Sequence, residues 1–230
     1  MEVGSKEWKA ELAEEAEKVG FSVNPSQIEL LSVFSRELLS FNAQFNITAI
    51  KDPHELIVKH ILDSLIPSRF IPQSSLVLDI GTGGGFPGIP LRIINPSFFM
   101  TLVDGSRKKI NFVKYAIRTL KLAQIEALHI RAEQLNGYGA FSKKFDVIIS
   151  RAVTSLEHFA SLASPLVKAN GMIIAMKGEI KASDTELMDL KKQVNSFQES
   201  IENHKFEIQV QTYQLPDLYN KRSLVIIKKL

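Results

Sequence analysis

The spacing of apolar residues divides the chain near residue 73. Before that point apolar positions recur at helical intervals. Asn24-Pro25 reads as an N-cap followed by proline at the first helical position. Ile28, Leu31, Ser35, Leu38 and Asn42 then share one face, beside Leu30, Phe34, Phe41 and Phe45. Asp52-Pro53-His54-Glu55 is a second start, a capping-box arrangement ahead of Leu56, Ile57, His60, Ile61 and Leu65. From about residue 74 short apolar runs alternate with amphipathic stretches. Strands are predicted at 76–80, 98–103, 125–131, 145–150, 171–176, 206–213 and 223–228. A basic amphipathic helix is predicted over 106–120, and caps at Thr154-Ser155-Leu156-Glu157 and Ser183-Asp184-Thr185-Glu186 open two more.

Alternating strands and helices call for a parallel sheet covered on both faces. The last two strands are joined by only about residues 214–222, too short for a crossover, so they form an antiparallel hairpin at the sheet edge. The expected fold is therefore α/β and Rossmann-like, of the class I methyltransferase type. It has a mostly parallel seven-stranded sheet with an antiparallel edge strand. Residues 1–72 form a small helical N-terminal region and 73–230 the core, packed as one compact unit.

Composition narrows the chemistry. The 230 residues include no cysteine, which excludes disulfides, thiolate metal sites and a cysteine nucleophile; no metal is expected. The N-terminus has no apolar signal core and no run approaches a membrane span, which points to a cytoplasmic protein. Lys and Arg number 28 against 25 Asp and Glu. Positive charge gathers at Arg107-Lys108-Lys109, Lys143-Lys144, Lys221-Arg222 and Lys228-Lys229, while acids dominate the first 17 residues.

The most informative segment runs from Val77 to Gly88, Val-Leu-Asp-Ile-Gly-Thr-Gly-Gly-Gly-Phe-Pro-Gly. A buried strand delivers the chain to a turn with four glycines in five positions, followed by a helix starting near Pro87. A ligand is expected across this turn, at the carboxyl end of the strand. Gly83-x-Gly85-x-x-Gly88 also fits the dinucleotide pattern, so NAD remains open on spacing alone. Asp79, two residues before Gly81, tips the balance toward S-adenosylmethionine: a carboxylate there can meet the cationic amino-acid end, but would repel a pyrophosphate. Asp104, closing the second strand, is placed to accept ribose hydroxyls. Ala132-Glu133, after the third strand, lies where such folds meet an adenine, while position alone equally fits a solvated loop glutamate.

Absences bear on the methyl acceptor. Pyrimidine C5 chemistry by the covalent route needs a cysteine. Exocyclic amines usually call for Asn/Asp-Pro-Pro-aromatic after strand four, where this chain has Ile149-Ser150-Arg151. An unprotonated ring nitrogen such as guanine N7 needs neither device, nor a general base.

At this point several separate blocks resemble one family. They are Phe45-Asn46-Ile47-Thr48-Ala49-Ile50, His60-Ile61-Leu62-Asp63-Ser64, the glycine loop through Pro90, Ser150-Arg151-Ala152, Lys177-Gly178, and Arg222-x-Leu224-Val225-x-Ile227-Lys228. Together they resemble the RsmG/GidB family of bacterial 16S rRNA guanine-N7 methyltransferases. The resemblance implies S-adenosylmethionine as cofactor, with Gly81, Phe86, Ala132, Glu133 and Arg151 touching it beside Asp79, Gly83, Gly85 and Asp104. It also implies that His60, Arg151, Lys177 and Arg222 lie on a rim facing RNA, Arg151 and Lys177 being candidates to position the guanine. Without the resemblance, His60 reads as a core histidine on an apolar helix face. No residue is assigned as an acid or base. The expected partner is 16S rRNA or the small-subunit particle, the protein acting as a monomer. The competing readings are an NAD-linked oxidoreductase, a methyltransferase of another RNA, and a silent RNA-binding protein on the same scaffold.

Overall fold

The computed structural model describes residues 1–137, 141, 144–151, 155–200 and 206–230. Lys143, Thr154 and Ala152 of the Ser150-Arg151-Ala152 block lie outside them.

Helix α1 (Lys6–Lys18) is capped by Ser5, whose side chain accepts from the Trp8 amide. Helix α2 (Pro25–Phe45) begins at the predicted box: Asn24 accepts from Gln27 N–H, and the Gln27 side chain accepts from Asn24 N–H. Leu31, Phe34, Ser35, Leu38 and Asn42 form its buried face. The third helical stretch is not one regular helix. A turn α3 (Pro53–Glu55), capped by Asp52, leads into a π-helix at Leu56–Leu62. A turn α4 (Asp63–Leu65) and a 3-10 turn at Ile66–Arg69 complete it. Such wide turns tend to occur where side chains must be re-aimed, and this one carries His60 and leads into Asp63.

The sheet has strands β1 (Leu76–Ile80), β2 (Phe99–Asp104), β3 (Ile125–His129), β4 (Phe145–Arg151), β5 (Val167–Gly178), β6 (Phe206–Tyr213) and β7 (Arg222–Lys229). Their order is β3-β2-β1-β4-β5-β7-β6. The first five run parallel, while β7 is antiparallel to β5 and to β6. The hairpin lies at the edge as expected, with the reversed strand β7 inserted one place in and β6 outermost. Four helices follow strands or precede them: α5 (Gly88–Ile94), α6 (Arg107–Thr119), α7 (Leu156–Ala163) and α8 (Thr185–Ser200). Ser155 provides the cap of α7.

The N-terminal helices and one face of the sheet share a single apolar cluster. It joins Trp8, Leu12, Leu31 and Phe34 to Val77, Phe86, Phe112 and Ile226. A second cluster, including Leu78, Phe145, Phe159 and Leu190, fills the other face. The indole N–H of Trp8 donates to the Pro53 carbonyl at 3.0 Å, tying α1 to the segment that bears His60.

Candidate active site

Strand β1 ends centrally, and the chain turns through Gly81-Thr82-Gly83-Gly84-Gly85 before entering α5. Gly81, Gly83 and Gly85 have φ of +72°, +58° and +92°. This is the left-handed region that side chains other than glycine seldom adopt. The glycines differ in what surrounds them. A Cβ on Gly81 would meet nothing within 4 Å, and one on Gly83 only the Gly81 carbonyl at 3.9 Å. On Gly85 it would strike Ile89 at 2.6 Å, and on Gly88 it would strike Asp79 and Leu102 at 2.8 Å. Gly81 and Gly83 thus leave open space above the turn. Gly85, expected at the cofactor, is a packing glycine turned toward the core.

Asp79 is fully buried. Its Oδ2 accepts from Thr82 Oγ1 at 2.7 Å and from Gly88 N–H at 2.9 Å, stapling both ends of the loop. Its Oδ1 is buried without a hydrogen-bond partner. Burial pushes its pKa up to about 7, against the two hydrogen bonds that favour the charged form. Asp104 accepts from Gly83 N–H at 2.9 Å and from Ser106 N–H at 2.7 Å, fixing the loop to the end of β2. Ala132 and Glu133 open a 3-10 turn at Ala132–Gly137 after β3, with Glu133 exposed.

A cavity of about 180 Å³ opens on the loop, lined by Thr48, His60, Gly81, Gly83, Lys109 and Arg151 among others. Phe86 also lines it, though its ring is buried, and it forms a platform. The His60 ring stacks on it with centroids 4.3 Å apart and planes 16° apart. The Arg151 guanidinium lies 5.0 Å from the same centroid.

His60 does not stand on an outward rim. It is buried, and both ring nitrogens are engaged: Nδ1 faces Arg151 Nη1 at 2.9 Å and Nε2 faces Thr48 Oγ1 at 2.8 Å. Arginine only donates, so Nδ1 accepts and the proton sits on Nε2. Burial, with Arg151 and then Arg222 adding repulsion, lowers the His60 pKa to about 3. The imidazole is therefore neutral. Arg151 also donates to the Lys59 carbonyl at 3.1 Å, a group of the π-helix.

Behind Arg151 lies Asp63, fully buried at the end of the π-helix. Tyr213 O–H donates to its Oδ1 at 2.7 Å and Arg222 Nη1 to its Oδ2 at 3.2 Å, while Arg151 stands 3.9 Å away. Burial raises the Asp63 pKa, and the two arginines oppose that rise. One buried carboxylate thus holds Arg151 from β4 and Arg222 from β7. Sequence reasoning did not assign Thr48, Asp63 or Tyr213, although Thr48 and Asp63 lay inside the blocks that carried the resemblance. Arg222 also lines an open cavity of about 760 Å³ with Lys59, Gly178, Tyr219 and Lys221. Lys177, a candidate for the rim, is mostly buried and pairs with Glu186 at 2.8 Å. Glu186 also accepts the Leu156 amide at 3.0 Å, so this lysine braces β5 against α7 and α8.

A strand-turn-helix ligand site under a sheet whose late strand β7 is reversed defines a Rossmann-like class I methyltransferase fold. The solved structure of an S-adenosylmethionine-dependent methyltransferase from Aquifex aeolicus shares that fold. Its TM-score is 0.53 at 16% identity, covering 79% of this chain and 96% of that one. The family model GidB, rRNA small subunit methyltransferase G, matches residues 27–211. "Ribosomal RNA small subunit methyltransferase G" of Geobacter sp. (strain M21) is 36% identical over 212 residues, 92% of this chain and 93% of that protein. The protein of the same name from Caldanaerobacter subterraneus subsp. tengcongensis is 37% identical over 221 residues, 95% and 88% of the two chains. The chain belongs to the GidB family of rRNA small subunit methyltransferases. The NAD-linked alternative, which rested on the nested glycine spacing, is set aside by this membership.

Proposed function

We propose that the protein transfers the methyl group of S-adenosylmethionine to N7 of a guanosine in small-subunit ribosomal RNA. The observation that carries this reading is the pairing of an open glycine turn with a fixed cation beside it. Gly81 and Gly83 leave space above the turn, and the same cavity is walled by Arg151. The residues present suit the cofactor. The unpartnered Asp79 Oδ1 offers a carboxylate to its ammonium group, and the remaining lone pairs of Asp104 offer acceptors to ribose hydroxyls. Ala132 and Glu133 flank the expected adenine position. When bound, S-adenosylmethionine supplies an electrophilic methyl group on a sulfonium.

The protein's own task is alignment. Arg151 cannot swing freely, because His60, the Lys59 carbonyl and Asp63 hold it from three sides. Its position between the glycine turn and the larger cavity suits a donor to the acceptor base. Arg222, Lys59 and Lys221 at that cavity suit phosphates. Fixing the reacting atoms within near-attack distance supplies much of a methyl-transfer rate. His60 is not available as a base, since both ring nitrogens are occupied.

The test is to incubate purified protein with methyl-labelled cofactor and undermethylated small subunits or their RNA, then digest and identify the labelled nucleoside. N7-methylguanosine is expected from the wild type, with a large loss in Arg151→Ala. Label on any other nucleoside position would refute the acceptor. NAD binding without S-adenosylmethionine binding would refute the cofactor.

A further inference from the structure

We infer that the exposed face of α6 is a docking surface for the sugar–phosphate backbone of the RNA substrate, outside the pocket. This rests on the proposed RNA methyltransferase activity, and extends it to a surface that activity does not itself require.

Helix α6 reads Arg-Lys-Lys-Ile-Asn-Phe-Val-Lys-Tyr-Ala-Ile-Arg-Thr and contains no acidic residue. Ile110, Phe112, Val113 and Ala116 are buried. At 100° per residue, Arg107, Asn111, Lys114 and Arg118 fall within about 60° of arc on the opposite face. All four are exposed, and Lys121 continues the line just past the helix end, also exposed. From Arg107 to Arg118 the stripe is about 16 Å long, enough for several phosphates of one strand. Lys109 turns the other way and lines the cofactor cavity. The start of the helix is tied to the glycine turn through Asp104, which accepts from the Gly83 and Ser106 amides, so the stripe begins at the end of α6 nearest that turn and leads away from it.

This arrangement works against the helix that carries it. Three cations occupy the first turn, where the amide dipoles already concentrate positive charge, and the turn itself holds no acid; the carboxylate at this end, Asp104, lies before the helix and accepts the Ser106 amide. The Ser106 side chain makes no capping hydrogen bond. Lys114 and Arg118 are like charges four residues apart, a spacing that destabilises a helix. Among the described residues, Arg107, Lys108, Lys114, Arg118 and Lys121 form no ion pair, whereas Lys9 and Lys18 of α1 pair with Glu29 and with Glu14 and Glu15. A solvated helix face ordinarily mixes signs. A face of one sign, retained at the helix's expense, has its compensation in an anionic partner, and the extended spacing fits a phosphate chain.

The experiment compares the wild type with a Lys114→Gln/Arg118→Gln/Lys121→Gln variant, binding a 16S rRNA transcript across a salt series. Each phosphate contact contributes about 0.7–0.9 to the slope of log K against log salt. The variant is expected to lose about 2 from that slope and to bind at least tenfold more weakly at the lowest salt. Its affinity for S-adenosylmethionine should match the wild type, and its melting temperature should not fall, because a like-charge repulsion has been removed. An unchanged slope and affinity in the variant, with a wild type that binds and methylates the RNA, would overturn the inference and leave the function standing. A wild type that neither binds nor methylates the RNA would overturn the function itself. Loss of binding to anionic lipid vesicles with RNA binding intact would reassign the stripe to a membrane surface and refute the RNA reading.

Discussion

If Asp79 receives the ammonium of S-adenosylmethionine, cofactor affinity must fall in mild acid. The carboxyl is wholly buried, and its pKa is pushed up to about 7 by burial. In the free protein it is therefore half protonated near neutrality, and only the ionised form can pair with a cation. With one linked proton, the apparent dissociation constant scales as one plus the ratio of protonated to ionised enzyme. Between pH 7 and pH 5.5 that factor rises from about 2 to about 33, a weakening of about sixteenfold or 1.6 kcal/mol. The ligand's own amino group stays protonated throughout this window, and His60, with a pKa of about 3, does not titrate in it. Isothermal titration calorimetry at four pH values measures the effect. S-Adenosylhomocysteine, which keeps the ammonium but lacks the sulfonium, should show the same slope. Adenosine, which lacks both, should show none. Asp79→Asn should bind weakly and flatten the profile. An affinity constant from pH 5.5 to 7, or a slope that survives in Asp79→Asn, would refute the assignment of this carboxylate.

Two further outcomes follow from the same geometry. Gly81→Ala places a methyl in open space at φ +72°; the backbone strain costs about 1–2 kcal/mol, while S-adenosylmethionine affinity should fall more than tenfold, a separation read by comparing melting temperature with calorimetric binding. For His60, the unfolded pKa near 6.5 is depressed to about 3 on folding, so the native state takes up fewer protons and loses stability as pH falls below 6.5. This group costs about 2 kcal/mol at pH 5 relative to pH 7, and denaturant titrations should show that His60→Gln lacks this part of the acid sensitivity; an identical pH dependence in both proteins would refute the buried neutral imidazole.

What could be read in the sequence was what is local. The box at Asn24-Gln27, the turn after β1 and the reversal of β7 each depend on residues close together in the chain. A connection of eight residues between β6 and β7 leaves no room for a crossover, so the reversed strand could be foreseen. The roles of individual glycines could not. Gly81 and Gly85 share a motif and a positive φ, but only the Ile89 side chain, folded back against Gly85, distinguishes packing from open space. The same holds for charge. Asp63 meets Tyr213 and Arg222 across 150 and 159 residues, pairings that no spacing announces. His60 and Lys177 were expected at an RNA-facing rim because the family resemblance implied it; the helical spacing alone read His60 as a core histidine, and it is buried. Tertiary neighbours turn both inward: Thr48 and Arg151, 12 and 91 residues away, for the one, and Glu186, nine residues on and in α8, for the other.

The buried charges also fit the kind of acceptor proposed. Methyl transfer from a sulfonium to a neutral ring nitrogen creates no new charge: one cation is consumed and another formed on the base. A site for such a reaction has no need to stabilise a developing anion or to remove a proton, but it must hold its own cations still while a positive charge moves past them. Arg151 and Arg222 would repel a cationic product if both pointed freely into the cavity. Asp63 draws them back from behind, and its burial keeps water from screening the attraction. His60 serves the same end as a neutral acceptor, taking one arginine N–H without adding charge. The arrangement is of near-balanced, immobilised groups, and that suits catalysis by alignment better than catalysis by proton transfer.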